Sequence, residues 1–351
     1  MQPFDGAAVT AELNDFAQDF VRGIHTLGTL GEVESGSTPN DVIYAEDKLK
    51  LCRYRPTRPD GGRIPVLIIY ALVNRPTMLD LQPDRSTIRG LLDHGLDVYL
   101  IDWGYPDERD RDLTLDHYIN GYLDRCVDAV RTLSGQAAIN LLGVCQGGAF
   151  SLCYTAIHNK VKNLITMVTP VDFHTPENTL SHWIRAVDVD QIVDTFGNVP
   201  GEFLNWVFLM LKPFRLAGQK YVHAVKSLGD PEKARNFMRM EQWILDSPDQ
   251  AGETFREFVT VFFQDNALIN DRVRIGQRAV HLRDIHVPVL NVFALEDHLV
   301  PPSASRPLAR YIGSDDYQEL EFPGGHIGIY VSAAAQRQIA PAIAAWLHAR
   351  A

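Results

Sequence analysis

The chain has 351 residues, 46% hydrophobic and 22% charged, so it can bury a full hydrophobic core and does not have the composition of a disordered protein. Its formal net charge of −11 argues against a general nucleic-acid binder, because phosphate groups are neutralised by clustered Lys and Arg. The N-terminus lacks a basic segment followed by an apolar run, and no apolar run approaches the ~18 residues of a membrane span, so we expect a cytoplasmic protein.

Strand-like and helix-like segments alternate from about residue 48 and predict a mostly parallel, doubly wound sheet with helices on both faces. Residues 49–55 alternate like an edge strand, whereas residues 65–72 form the continuous apolar run of a strand covered on both faces. The N-terminal segment 1–47 receives no predicted element. Further strands are predicted at 96–101, 138–143, 164–168, 288–295 and 317–322, and helices at 85–94, 115–133, 303–311 and 335–348, with another directly after residue 145.

Residues 172–285 interrupt this pattern. The segment has no convincing buried strand, yet it holds ten of the 16 Phe and three of the 5 Trp. We therefore predict an α/β core of residues 1–171 and 286–351, with a helical cap inserted at 172–285. The aromatic side chains can pack the cap against itself and the sheet, and they can also cover a hydrophobic acyl pocket.

One of the four cysteines lies in a pattern that indicates chemistry. The cysteines fit no metal-ligand spacing, so we expect reduced thiols, no metal and no cofactor. Cys126 lies in the apolar stripe of the helix at 115–133 and is predicted to be core. In the segment LLGVCQGG, by contrast, Gly143, Cys145 and Gly147 form G-x-C-x-G between an apolar strand and a helix. This matches the nucleophile elbow of the α/β-hydrolase fold, with cysteine in place of serine.

The elbow requires two partners later in the chain. A thiol at a helix N-terminus is pushed towards the thiolate form, and a histidine completes its activation. In this fold an acid and a histidine each lie in a loop directly after a strand. Asp297 follows the strand at 288–295, and His326 follows the strand at 317–322. We therefore predict a triad of Cys145, Asp297 and His326, in the chain order that this fold uses.

Other residues satisfy parts of the same pattern. Asp172 and Asp102 also follow strands, and Asp172 is geometrically possible as the acid. His298 adjoins the predicted acid and would point elsewhere in a tight loop. His281 and His286 lack a preceding strand and glycine, and we expect these three histidines at the solvated surface.

Backbone N–H groups should stabilise the oxyanion that forms when a thioester is attacked. In this fold one donor is the residue after the nucleophile, here Gln146, and the other comes from the loop after an early strand. That loop reads YALVNRP, where we favour Val73 over Asn74.

These segments together closely resemble the catalytic subunit of class III polyhydroxyalkanoate synthases, over nearly the whole chain. The family's nucleophile, histidine and acid fall on Cys145, His326 and Asp297. The chain departs most from the family in its first ~30 residues and at 270–283. The segments that carry the resemblance are YALVNRPTMLDLQ, VYLIDWGYPD, LLGVCQGGAFSL, TMVTPVDFHTP, SPDQAGETFR, FALEDHLVPP and FPGGHIGIYVS.

The resemblance implies polymerisation of (R)-3-hydroxyacyl-CoA, typically 3-hydroxybutyryl-CoA, into an intracellular polyester with release of CoA. A cysteine suits this reaction, because transfer of the acyl group from one sulfur to another keeps it reactive. Either His326, supported by Asp297, or Asp297 itself then activates the 3-hydroxyl that attacks the acyl-cysteine. The resemblance also implies a second, different subunit, and thus a dimer or hetero-oligomer at the surface of polyester granules in the cytoplasm.

Three alternatives stay open from the sequence. A cysteine-dependent thioesterase or hydrolase of the same fold would keep the triad but deliver the acyl group to water. The short catalytic subunit of class IV synthases would use another partner. A granule-coat protein that retains an inactive triad would not be acylated at Cys145.

Overall fold

The protein is described by a computed structural model that covers residues 5–59 and 64–351. Within these residues the largest sheet has eight strands, in the order β1-β2-β4-β3-β5-β6-β7-β8. The strands are β1 Asn40–Glu46, β2 Leu49–Tyr54, β3 Ile64–Ile69, β4 Leu96–Asp102, β5 Ile139–Val144, β6 Val161–Met167, β7 Val289–Ala294 and β8 Tyr317–Phe322.

The sheet is antiparallel at one end and parallel elsewhere. β2 pairs antiparallel with both β1 and β4, and the other neighbours pair in parallel. All residues of β3, β5 and β7 are buried, which explains their continuous apolar sequences. Because the six parallel strands point the same way, their carboxyl ends lie along one edge of the sheet.

One sequence prediction is wrong at the first edge. The strand at residues 49–55 was predicted to be an edge strand, but β2 lies between β1 and β4. The edge is formed by β1, in the segment to which no element was assigned. Its residues are exposed or half-buried, so β1 lacks the apolar run that marks the inner strands.

Helices connect the strands of the sheet along the chain. The first half of the predicted helix at 115–133 is π-helical, and its apolar stripe, including Cys126, is buried as predicted. The helices of the described residues are α1 Gly6–Thr29, α2 Thr87–Asp93, α3 Asp124–Ser134, α4 Gln146–Ile157, α5 Thr179–Ile184, α6 Val189–Phe196, α7 Gly201–Met210, α8 Lys220–Leu228, α9 Pro231–Leu245, α10 Gly252–Phe258, α11 Pro302–Ser305, α12 Gly328–Val331 and α13 Ala333–His348.

Short elements complete the described chain. Two ribbons of two to three residues per strand pair Asp80–Gln82 with Arg85–Ser86 and Arg274–Ile275 with Arg278–Ala279. The 3₁₀-helical segments are Pro76–Leu79, Glu108–Asp110, Leu282–Asp284 and Arg306–Arg310, and the π-helical segments are His117–Leu123, Phe214–Gln219 and Val259–Gln264.

The chain forms two compact units. One contains the described residues up to Ser35 together with Asn205–Asp246, and the other contains Gly36–Leu204 and Ser247–Ala351. These limits differ from the predicted core and cap, and the boundaries of a cap at 172–285 stay a prediction. In the first unit α1 packs against α8, and Gly23 permits the approach, since a Cβ there would lie 2.8 Å from Leu228 Cβ.

In the second unit, aromatic side chains from the inserted segment pack together. Phe173, Phe258, Phe262 and Phe263 form edge-to-face, tilted and stacked pairs with centroids 4.7–6.3 Å apart. Phe258 also contacts Phe150 of α4 at 6.0 Å. These rings therefore pack part of the insertion against itself and against α4. Among the described helices, none combines the length and apolar composition that crossing a membrane requires.

Candidate active site

Cys145 lies in a strained turn between β5 and α4. Its backbone has φ 54° and ψ −119°, a conformation that residues with a Cβ rarely adopt. The turn is held by a hydrogen bond of 2.9 Å from Cys145 N–H to the carbonyl of Met167, at the end of β6. The residue is only half-buried, while α4 behind it is almost entirely buried. The turn thus presents the thiol at the carboxyl edge of the parallel strands.

Close backbone approach at this turn requires the two glycines of the motif. A Cβ on Gly147 would lie 2.2 Å from the carbonyl oxygen of Ile69 and 2.6 Å from that of Tyr70. A Cβ on Gly143 would lie 2.4 Å from Ser151 Oγ and 2.6 Å from Gly148 Cα. The elbow therefore requires glycine, which has no Cβ, at both positions.

Replacing Gly147 with alanine should destabilise the protein by about 1–3 kcal/mol or more, because the clashing atoms are backbone and cannot rotate away. A lower Tm, or loss of soluble protein, would report the effect. Gly28→Ala is the matched control. Gly28 lies in α1, where a Cβ meets no atom within 4 Å, so alanine should be neutral or stabilising. Equal Tm values for the two variants would contradict the prediction.

The loops after β7 and β8 bring Asp297 and His326 together. Backbone N–H groups of Leu295 and Glu296 donate to the carbonyls of Phe322 and Gly324, each at 2.8 Å, so the two loops run side by side. His326 Nδ1 lies 2.7 Å from Asp297 Oδ2. Both side chains are buried, with 8% of the His326 side chain and none of the Asp297 side chain exposed.

The Asp297 carboxylate is held on both of its oxygens. Its Oδ1 accepts hydrogen bonds from the N–H groups of Leu299 at 2.8 Å and Val300 at 2.9 Å, and its Oδ2 faces the imidazole. These three bonds fix the carboxylate in one orientation. The Asp297 side chain also has no surface exposed to solvent.

The imidazole of His326 connects this acid to the thiol. Burial lowers the pKa of His326, but the Asp297 carboxylate and hydrogen bonds to Asp297 and Cys145 outweigh burial and raise that pKa above its usual value. The carboxylate thus makes the imidazole more basic than burial alone would leave it. The structure brings all three residues of the predicted triad together at one edge of the sheet, with His326 bonded to Asp297, an arrangement suited to attack on an acyl carbon.

The rival acids are engaged elsewhere. Asp102 forms a 2.7 Å ion pair with Arg75, and Asp172 accepts a 2.8 Å hydrogen bond from the Asn266 amide. Among the other histidines, His281 lies 2.7 Å from Asp271 and His286 is exposed. His298 is half-buried in the loop beside the candidate acid.

A side-chain hydrogen bond joins the two segments that are predicted to form the oxyanion hole. Gln146 is buried at the start of α4, and its Oε1 accepts a 2.9 Å hydrogen bond from the N–H of Leu72. Val73 and Asn74 follow directly, and Asn74 has a positive φ of 59°. The N–H of Leu72 is therefore occupied, and the choice of Val73 over Asn74 stays a prediction. Sequence analysis gave Gln146 only a backbone role and missed this contact.

Removing that contact should destabilise the loop. Gln146→Met keeps the length of the side chain but leaves the buried N–H of Leu72 without its acceptor, at a cost of about 1–3 kcal/mol. We expect a lower Tm and slower acyl transfer. Gln136→Met is the control, because Gln136 is exposed and should tolerate methionine. A Gln146→Met protein with wild-type Tm and rate would show that the bond does not brace the loop.

Two buried tyrosines, Tyr70 and Tyr330, have no role in the sequence-based prediction. Burial raises the pKa of both, and the charge of Cys145 acts in the same direction. The ring of Tyr330 packs edge-to-face against His326. Tyr330 follows His326 by four residues. In the sequence it cannot be distinguished from an ordinary core aromatic residue.

Solved structures share this fold. The monoacylglycerol lipase of Paleococcus ferrophilus matches with a TM-score of 0.57 and 16% identity, covering 87% of this chain and 100% of that chain. A thermophilic esterase from Thermogutta terrifontis matches with a TM-score of 0.54 and 18% identity, covering 90% and 99%. A family model described as alpha/beta hydrolase fold matches residues 64–333. The chain thus has the predicted α/β-hydrolase fold.

Whole-chain relatives define the family more narrowly. A poly(3-hydroxyalkanoate) polymerase subunit PhaC of Allochromatium vinosum is 59% identical over 97% of both chains, and that of Thiocystis violacea is 54% identical over 100% of both. A family model described as the N-terminus of poly-beta-hydroxybutyrate polymerase (PhaC) matches residues 8–91. The chain belongs to the poly(3-hydroxyalkanoate) polymerase subunit PhaC family, which confirms the resemblance to the class III catalytic subunit.

Proposed function

We propose that this protein polymerises (R)-3-hydroxyacyl-CoA, with 3-hydroxybutyryl-CoA as the main monomer, into polyhydroxyalkanoate and releases CoA. The observation that supports this most directly is a thiol at a nucleophile elbow, beside a hydrogen-bonded histidine–carboxylate pair, in a chain of the polymerase family. No cofactor takes part, since the CoA thioester is itself the activated substrate.

In the first step His326 accepts the proton of the Cys145 thiol, and the thiolate attacks the thioester carbon. The C–S bond to CoA breaks as the new C–S bond forms, and the imidazolium returns the proton to the CoA thiolate. Backbone N–H groups of Gln146 and Val73 are the proposed donors to the oxyanion. The product is an acyl-cysteine, which conserves the reactivity of the thioester.

In the second step a 3-hydroxyl attacks the acyl-cysteine, and the C–S bond to Cys145 breaks as the ester bond forms. A base takes the hydroxyl proton and returns it to the released sulfur. Two oxygens of Asp297 are already committed to two N–H groups and the imidazole, and its side chain is fully buried. An alcohol therefore reaches His326 more readily than Asp297. This supports His326 as the base, with Asp297 as the residue that orients it and stabilises its charge.

The resemblance to class III synthases also implies partners, which are part of the proposal. We expect a second, different subunit and location at polyester granules in the cytoplasm. Exposed apolar side chains support a surface that another component covers. On α1 these are Leu13, Phe20, Val21 and Ile24, and on the segment 205–246 they include Trp206, Phe214 and Leu245.

The test incubates the purified chain with (R)-3-hydroxybutyryl-CoA, with and without a candidate partner subunit, and records CoA release together with the acyl product. Insoluble polyester, formed faster with the partner, is expected. CoA release that yields only free 3-hydroxybutyrate would identify a thioesterase of the same fold. An absence of both products would favour an inactive granule-coat protein.

A further inference from the structure

The hydroxyl of Tyr330 is a buried polar group that the mechanism above does not use. Tyr330 is 1% exposed, and within the described residues its hydroxyl has no hydrogen-bond partner. An unpaired buried hydroxyl costs free energy, so such groups in native structures call for an explanation. Because a phenylalanine would fill the same space without that cost, packing alone does not account for a tyrosine here.

The surrounding contacts fix where this ring lies. It packs edge-to-face against His326, with centroids 6.0 Å apart and planes at 89°. The backbone carbonyl of Tyr330 accepts hydrogen bonds from Thr87 Oγ1 and Gln336 Nε2, so its position on α12 is held. α12 also packs against Pro76–Leu79, directly after the loop that contains Val73. The ring therefore lies against His326, on a helix that also contacts the segment after the proposed oxyanion loop.

The hydroxyl is a hydrogen-bond donor that the resting site leaves unsatisfied. Burial raises the pKa of Tyr330, and Tyr70, Cys145 and Asp297 raise it further, so the hydroxyl keeps its proton. It makes no hydrogen bond to the Cys145 sulfur in this structure. Because the ring lies against His326, a group that arrives with the substrate can supply the missing acceptor.

An acyl group on Cys145 supplies such an acceptor. The oxygen on C3 of a 3-hydroxyacyl group lies four bonds from the sulfur, whereas a plain acyl group carries no oxygen at that position. We propose that the Tyr330 hydroxyl donates a hydrogen bond to this C3 oxygen and thereby selects 3-hydroxyacyl over plain acyl thioesters. The inference rests on the proposed function and adds a residue that determines its specificity.

The proposed hydrogen bond should make the enzyme react faster with 3-hydroxyacyl thioesters than with plain acyl thioesters. With enzyme in excess over thioester, so that each cysteine reacts at most once, CoA release is measured for (R)-3-hydroxybutyryl-CoA and for butyryl-CoA. The wild-type protein should favour the hydroxylated thioester. Tyr330→Phe should reduce that preference by about 3- to 10-fold, mainly by slowing the hydroxylated substrate. Its Tm should be unchanged or higher, because the variant loses only an unpaired hydroxyl.

Tyr154→Phe is the matched control. Tyr154 is equally buried, but its hydroxyl donates to Asp124 at 2.7 Å, so the variant should lose about 1–3 °C in Tm and keep the wild-type preference. An unchanged preference in Tyr330→Phe, or a loss of Tm like that of the control, would overturn the role of Tyr330 alone. A wild-type protein that releases no CoA from either thioester would overturn the proposed function as well.

Discussion

Replacing Cys145 with alanine should end CoA release from (R)-3-hydroxybutyryl-CoA, with a loss of at least about 10⁴-fold in rate. The sulfur is the atom that forms the new bond, and no neighbouring group can replace it. The fold should persist, because alanine has the same Cβ as cysteine and meets the same backbone strain at φ 54°. Initial rates of CoA release, with Tm measured on the same samples, check both parts of the prediction.

Cys153→Ala is the control for this variant. Cys153 lies in α4, is fully buried, and burial raises the pKa of its thiol to about 12, so it is inert near neutral pH. Its loss should lower the Tm through a small cavity but leave the rate of the folded protein unchanged. Turnover that survives in Cys145→Ala, or disappears in Cys153→Ala, would show that the nucleophile has been assigned to the wrong cysteine.

Replacing Asp297 with asparagine should slow acyl transfer by about 10³- to 10⁴-fold, as expected for the acid of a triad. The carboxylate raises the pKa of His326 above its usual value against the opposing effect of burial. Asparagine removes the charge, so burial dominates and that pKa falls. The imidazole is then a weaker base for the proton of the Cys145 thiol.

Alkylation of Cys145 with iodoacetamide separates this effect from a general loss of structure. In the wild-type protein the raised pKa of His326 should make the imidazole an effective acceptor for the thiol proton, so alkylation should be fast near pH 7. In Asp297→Asn the reaction should need a higher pH. A profile that does not move would mean that the carboxylate does not control the charge of His326.

Asp102→Asn provides the comparison for that profile. Asp102 also lies at the carboxyl end of a strand, but it pairs with Arg75 rather than with the histidine. Its variant should therefore keep the wild-type dependence of alkylation on pH. A shift equal to that of Asp297→Asn would indicate a long-range effect of net charge.

The inner part of the fold could be predicted because burial leaves a clear pattern in the residues. Of the inner strands, β5 and β7 were predicted within one residue at each end, because all their residues are buried. β8, the other edge strand, was predicted at its observed bounds although most of its residues are exposed or half-buried. β1 was missed, because an exposed edge strand needs no apolar run. α1 was missed for a related reason: it meets α8 through small residues such as Gly23 and exposes apolar side chains instead.

The candidate site likewise contains residues that the sequence predicts and contacts that it does not. Cys145, Asp297 and His326 could be proposed because each follows a strand in a chain order that one fold uses, and the structure brings them together. The side-chain bond from Leu72 to Gln146 and the position of Tyr330 left no signal. Both depend on loops that are far apart in the chain and meet only in the folded protein.

The sequence by itself determined which strands the candidate catalytic residues follow, which residue types form the turn around Cys145, and the family. These follow from local patterns of burial and from motifs of neighbouring residues. Only the tertiary structure decided which strand forms the edge, which segments pack as one unit and which donors surround the thiol. These depend on contacts between distant residues, whose free energy is set by close packing and by satisfied hydrogen bonds rather than by local sequence.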